Sequence, residues 1–297
     1  MKTSGDLRML LLGLASATAL FGQADARAII RQAVAADELN WKIARNYTFF
    51  ERVELRRLDA QGRLKLCEVQ SYETTLQGGT PYRQLVQRDD RPLLATEAKK
   101  ELESLAKSIA ERRRETAVER ARRLAIYERR PDWLREAWHE LPDAFDFQLA
   151  GQGMLDGHSI LIIDAMPRPG YQPRSRTGKQ FRSIKARFWV DQQDHQIVKV
   201  EVEVTDTISL GLFLVRVAKG SRATLELTCV TAGVWLPDRL QVWGAARLGL
   251  LKFLRIENIV RYSRYSTVPV EVRTFDPIED RDARSAKVNR FEKATSP

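Results

Sequence analysis

The chain is short of the residues from which reactive centres are made. Its 297 residues hold three histidines and two cysteines. His139, His158 and His195 are far apart, and Cys67 and Cys229 form no CxxC or similar spacing. A zinc site draws several His, Cys or acidic ligands at short intervals, so no metal is expected. There is no GxSxG elbow of the hydrolase type. Gly178-Lys179 fails as a phosphate loop, because Gly170 lies too far upstream and Gln180 stands where Ser or Thr is required. Gly151-Gln-Gly153 lacks a third glycine and reads as a turn. With no catalytic constellation in view, the expectation is a protein that is not an enzyme and carries no cofactor. For the cysteines, two separate buried thiols are favoured over a disulfide, since nothing in the sequence brings their Cα atoms within bridging range.

Long apolar runs are missing as well. The strongest, Met9 to Phe21, is shorter than the roughly 20 residues of a membrane span. It follows Lys2 and Arg8 and precedes Ala24-Asp25-Ala26, which together make the tripartite pattern of a secretory signal. Residues 1–26 are therefore expected to be a signal peptide cleaved after Ala26, with Gln23 as the second choice. No Cys follows the apolar core, so no lipid anchor is expected. Ile208 to Val215 is the best later candidate for a span and stops at Arg216. The expectation is a periplasmic or secreted protein with no stable membrane span.

Acidic charge is in deficit: 49 Lys and Arg stand against 39 Asp and Glu, a net charge of +10. In a cytoplasmic protein this would suggest nucleic acid. Export excludes nucleic acid and turns attention to an anionic lipid headgroup or an acidic protein surface. The deficit is sharpest between Ala165 and Asp191, where seven cations and no carboxylate occur among Pro167, Pro169, Gly170, Pro173 and Gly178. Arg168, Arg174, Arg176, Lys179 and Arg182 are the candidates for an anionic partner, because arginine suits phosphate and carboxylate. A merely solvated loop is the equal alternative.

Periodicity supplies the architecture. Arg27 to Arg45 carries a broad apolar stripe and reads as a helix. From Tyr47 the period is two, and strands near Tyr47–Arg56, Leu64–Thr75 and Tyr82–Gln87 form a meander. Thr96 to Arg130 is rich in Ala, Leu, Glu, Lys and Arg and reads as helical until Pro131, with a second short helix from Asp132 to Leu141. Strands resume at Phe145 and Ser159. Lys185–Asp191 and Ile197–Val204 then form a hairpin, in which Val198, Val200, Val202 and Val204 share the inward face. Ala223 to Cys229, Val234 to Gly244 and Leu254 to Tyr262 follow. The fold class is α+β: an antiparallel curled sheet, an unclosed β-barrel of about nine strands, with an N-terminal helix and a helical insert. The expected boundaries are 27–268 for one domain, 95–141 for its insert and 269–297 for a mobile tail. A sheet of this size must curl or stack to bury its apolar face, and curling leaves a concave side that can hold an apolar ligand. Candidate cavity residues are Phe49, Val53, Phe188, Val190, Val198, Val200, Val202, Leu225, Leu227 and Trp235. The same residues would serve equally as a filled core.

The order of parts, with FWVDQQDHQIVKVEVEV (Phe188 to Val204), KGSRATLELTCVTAGVWLPDRLQV (Lys219 to Val242) and YSRY (Tyr262 to Tyr265), resembles the periplasmic outer-membrane lipoprotein-sorting superfamily, which includes the LolA and LolB carriers and RseB-like sensors. The resemblance covers about Asn46 to Tyr265. It implies an unclosed barrel with a helical lid that binds acyl chains of lipoproteins or other lipids. The basic insert and the greater length depart from the small carriers. The leading reading is an exported non-enzymatic binding protein for lipid or lipoprotein acyl chains. The alternative is an envelope sensor or scaffold that binds another protein through its basic surface and has a filled core.

Overall fold

A computed structural model describes residues 14–210, 215–248 and 252–267. Residues 1–13 of the expected signal peptide and the expected tail, 269–297, lie outside the described residues. Helix α1 (Leu14–Ala44) is followed by β1 (Tyr47–Leu58), β2 (Leu64–Gln77), β3 (Thr80–Arg88) and β4 (Arg91–Pro92). Next come α2 (Ala95–Arg114), α3 (Ala117–Glu128) and α4 (Asp132–Ala144), and then β5 (Phe145–Leu155) and β6 (His158–Pro167). A short 3-10 helix, Gly178–Ser183, leads into β7 (Ile184–Asp191) and β8 (Ile197–Val204). The chain continues as β9 (Ile208–Leu210), β10 (Val215–Val217), β11 (Arg222–Thr231), β12 (Val234–Leu248) and β13 (Lys252–Thr267).

Alternation dictates strands, and short turns make them antiparallel neighbours. The Asp156-Gly157 turn has both residues at positive φ (48° and 84°), the geometry of a two-residue hairpin whose twist matches its strands. The strand order is β4-β3-β2-β1-β13-β12-β11-β8-β7-β6-β5, with β9 and β10 attached beside β12. Strand β13 pairs with β1 along its length, Val260 opposite Val53 and Asn258 opposite Leu55, so the last strand joins the N-terminal meander to the rest. Within the described residues the edge strands β4 and β5 do not pair with each other. The sheet is curled and open, an unclosed barrel. Among the described residues its strands number thirteen rather than about nine, chiefly because β4, β9 and β10 are only two or three residues long, too short for a period of two to show.

Helix α1 lies across β5, β7, β8 and β12, while α2 and α3 pack on β3. Ala26, Ile30, Ala33 and Val34 of α1 meet Phe145, Phe147, Ile163, Phe188 and Val190 in the main core. The expected hairpin forms, with Phe188 opposite Val200 and Ala186 opposite Val202. Three local expectations are corrected. A register shift between Trp189 and Val190 pairs Val190 with Ile197. Val198 is thereby left as the extra residue of a bulge, and it packs with Ile160 and Trp235 instead of with Val200 and Val202. Gly151 and Gly153 lie inside β5 at another register shift, so they bend a strand and do not end it. The expected long insert helix is two helices: Thr116 accepts from the Glu119 N–H, and the Glu119 carboxylate accepts from the Thr116 N–H at 2.8 Å. This reciprocal cap starts a new helix.

Candidate functional site: an apolar cavity beneath the helical insert

The concave face of the sheet is not filled along its whole length. Between β1, β8, β11, β12 and β13 on one side and α1, α3 and α4 on the other lies a cavity of about 430 Å³. Phe49, Val200, Leu225, Leu227, Pro237, Tyr262 and Tyr265 line the sheet side, and Trp41, Tyr127, Leu134 and Trp138 line the helical side. The wall is overwhelmingly apolar, and the volume lies within the roughly 300–1,000 Å³ of small-molecule sites.

Each wall is held by identifiable bonds. The Asn40 side chain donates to the Trp235 carbonyl at 2.7 Å and accepts from the Trp235 N–H at 3.0 Å. That buried amide fixes α1 against β12. Phe49 packs edge-on against Tyr262 at 5.7 Å and lies 6.1 Å from Tyr265. The Tyr265 hydroxyl donates to the Pro237 carbonyl. Burial pushes the phenol pKa of both Tyr262 and Tyr265 upward, so each remains a neutral donor. The insert is tied down by Tyr127, whose hydroxyl donates to the Arg45 carbonyl, and by Arg45, which donates to the Glu128 carbonyl at 2.8 Å. Arg130 forms an ion pair with Asp37, to which Gln196 also donates at 3.3 Å. Burial pushes the Asp37 carboxyl above its usual range, against the opposing pull of Arg130.

Five of the ten predicted cavity residues line this space: Phe49, Val200, Leu225, Leu227 and Trp235. The others lie elsewhere. Phe188 and Val190 are packed into the main core, and Val202 packs against it. Val53 faces the same side farther along β1, opposite Val260, and Val198 is turned away by its bulge. The helical wall was missed, because periodicity shows which residues share a helix face and not which sheet face they will roof. Trp41, Tyr127 and Trp138 come from three helices, and Arg130 from the turn between α3 and α4.

Behind the cavity, Trp235 donates its indole N–H to Asp194 at 2.8 Å and packs edge-on against His158 at 4.7 Å. The His158 Nδ1 lies 3.2 Å from buried Asp191, whose carboxylate also accepts from the N–H groups of Gln193 and Asp194. This network closes the β7–β8 turn and braces Trp235. A groove of about 550 Å³ on the outer face is lined by Asp164, Arg187, Lys185, Glu203 and Arg222. These charges already pair with one another, Arg187 with Asp164 at 2.5 Å and Arg222 with Glu203 at 3.3 Å, so the groove is a solvated ionic face.

The basic loop is not at the cavity. Arg168 pairs with Asp146 at 3.0 Å and Arg174 with Asp143 at 2.6 Å, while Arg182 donates to the Tyr171 carbonyl at 2.6 Å. Arg176 and Lys179 are exposed. None of the five lines the cavity. The loop is anchored on α4 by Glu140, which accepts from the Tyr171 hydroxyl and from the Arg174 N–H at 3.1 Å. Burial alone would raise the Glu140 pKa, but hydrogen bonds from Ser175, Tyr171 and Arg174 together hold it below the usual range. Arg27 of α1 shares Asp146 with Arg168. Arg27 and Trp41 are 14 positions apart on α1, about 21 Å along the helix axis, which sets the loop well away from the cavity.

Cys67 and Cys229 are free, the first of them exposed. Among the described residues no helix is long and apolar enough to cross a membrane, and no cluster of three His, Cys, Asp or Glu is placed to hold a metal.

No protein-family model and no curated protein matches this chain. Solved structures do resemble it. A DUF1329 family protein from Desulfovibrio piger aligns over 87% of this chain and 98% of its own, at 9% identity and a TM-score of 0.33. A crystallised domain from Vibrio parahaemolyticus, titled an outer membrane lipoprotein-sorting protein, aligns over 87% of this chain and 99% of its own, also at 9% identity and 0.33. A LolA superfamily protein from Nitrosomonas europaea aligns over 84% and 98%, at 13% identity and 0.28. At such scores the likeness carries no weight for function; the cavity does.

Proposed function

We propose that this protein is an exported, non-enzymatic binding protein that holds the acyl chain of a lipid or lipoprotein in the cavity between the curled sheet and its helices. One observation carries the reading: about 430 Å³ of space walled by tryptophan, tyrosine, phenylalanine and leucine side chains, in a molecule whose neighbouring core is closely packed. Transfer of an apolar chain from water onto such a wall is favourable at roughly 25 cal/mol per Å² buried. Among the described lining residues the one carboxylate, Asp37, is already paired with Arg130. The N-terminal signal pattern supports a site of action outside the cytoplasm.

Extraction of the purified protein with organic solvent, followed by mass spectrometry, tests the reading. About one lipid or acylated peptide per chain is the expected result. A lipid-free protein that also leaves added acyl ligands unbound would return the cavity to an inert gap and favour a scaffold.

A further inference from the structure

The helical wall carries polar atoms that its own structure leaves unused. Among the described residues, Arg130 keeps Nε and Nη1 without a hydrogen-bond partner, and Trp41 and Trp138 each keep an unpartnered indole N–H. All three residues line the apolar cavity, and the four donor atoms are themselves covered, so an acceptor reaches them through a shift of these side chains. They are also neighbours, for the Arg130 guanidinium carbon lies 5.4 Å from the Trp41 ring centre and 5.7 Å from that of Trp138. The Arg130 side chain is only 9% exposed. Buried donors are nearly always satisfied, and leaving one unmet is costly. Four of them on three adjoining side chains, every one a donor, call for an acceptor.

Charge leads to the same conclusion. The ionisable acids and bases lining the cavity are Asp37, Arg45 and Arg130, a set with one more cation than anion. Asp37 meets only the Nη2 corner of the Arg130 guanidinium. Burial disfavours the Asp37 charge in any case. Glu38, on the same helix, faces His139 at 3.9 Å and does not line the cavity.

We infer that the cavity takes a single-chain amphiphile with a carboxylate head, the chain lying on the aromatic wall and the head held at Arg130 between Trp41 and Trp138. Guanidinium and indole N–H groups are donors only, so they donate to an anionic oxygen and leave the O–H of a hydroxyl head without an acceptor. A charge-assisted bond in a site shielded from water is stronger than a neutral one. The inference deepens the acyl-binding reading and rests on it.

The test titrates oleate and oleyl alcohol, equal in chain and different in head, into the wild-type protein and follows tryptophan fluorescence. Oleate should bind at least about tenfold more tightly, the equivalent of one charge-assisted hydrogen bond. Trp138→Phe should narrow the oleate-to-alcohol ratio to about threefold, and the paired change Asp37→Asn with Arg130→Gln should abolish it. Should the paired variant fail to fold, the wild-type ratio and Trp138→Phe decide. Equal binding of the two ligands by the wild type would overturn the carboxylate inference and leave acyl binding intact. Binding of neither would overturn both.

Discussion

Where α1 runs from Ala26 to Val34, strands β5, β6 and β7 turn Phe145, Phe147, Ile163, Phe188 and Val190 against it, none of them more than 3% exposed. Where the same helix runs from Asp37 to Ala44, strands β1, β11 and β13 turn Phe49, Leu225 and Tyr262 to the same side, and these remain half-buried around open space. The two regions share one sheet, one helix and one alternating pattern. They differ in what the helix presents. Alanine, isoleucine and valine let α1 settle onto the strands, whereas Asn40 and Trp41, with Tyr127, Arg130 and Trp138 of the insert, hold the roof off and fix it by hydrogen bonds. Alternation thus sets which side a residue faces; the side chains of the cover decide whether that side is core or cavity.

The comparison breaks most readily at its phenylalanines. Phe188→Ala should cost about 3–5 kcal/mol, as a large truncation in a packed core does, while Phe49→Ala should cost no more than about 1 kcal/mol, because its ring already borders open space. Urea denaturation of both variants measures the contrast, and equal losses would mean that the cavity region is packed core after all. Gly178→Ala comes next. A Cβ at that position would overlap the Glu140 carboxylate, and overpacking of this kind costs about 1–3 kcal/mol, to be seen as a lowered unfolding temperature.

Glu140→Gln sharpens the contrast through pH. The folded-state pKa of Glu140 lies below its ordinary value. Its contribution to stability is therefore complete above an unfolded value near about 4.3 and is lost as the pH falls through the folded value. The variant should be less stable at neutral pH and should lose less on acidification, a difference that unfolding curves at about pH 3 and pH 7 resolve. Leu225→Trp enlarges a side chain that faces space and should shift stability by less than about 1 kcal/mol, yet reduce the lipid recovered per chain. Smallest of all, Arg176→Gln with Lys179→Gln should change stability by no more than about 0.5 kcal/mol, as exposed positions do. It should also leave oleate binding unaltered, since neither residue lines the cavity. A marked fall in binding would restore the loop as part of the site.

The strands were legible because one face is wet and one is not: Lys199, Glu201 and Glu203 against Val200 and Val202 leave little choice of orientation. Val198 escaped because a bulge adds a residue without any mark in the sequence, reversing every parity beyond it. The break at Thr116 was present as a Thr-x-x-Glu cap and was masked by the helix-forming composition on both sides. The cavity was legible only by halves. Phe49, Val200, Leu225 and Leu227 follow from strand parity, but their juxtaposition with Trp41 and Arg130 depends on how α1 and the insert fold over the sheet, a long-range fact with no local signal. The basic loop shows the converse. Its charge density is conspicuous in sequence, yet Arg168, Arg174 and Arg182 are consumed in anchoring the chain to Asp146, Asp143 and Tyr171.

A sheet that does not close has two ends, each a row of backbone groups on which another chain could crystallise strand by strand. At one end the final strand is Arg91–Pro92; proline has no N–H to offer and arginine repels its own kind, so the ladder has a terminator where a template would otherwise stand. At the other end β5 carries a register shift at Leu149/Gly151, and the bend makes a poor mould for a straight newcomer. The openness that leaves this sheet an interior is thus fenced at these two edges against the addition of further strands.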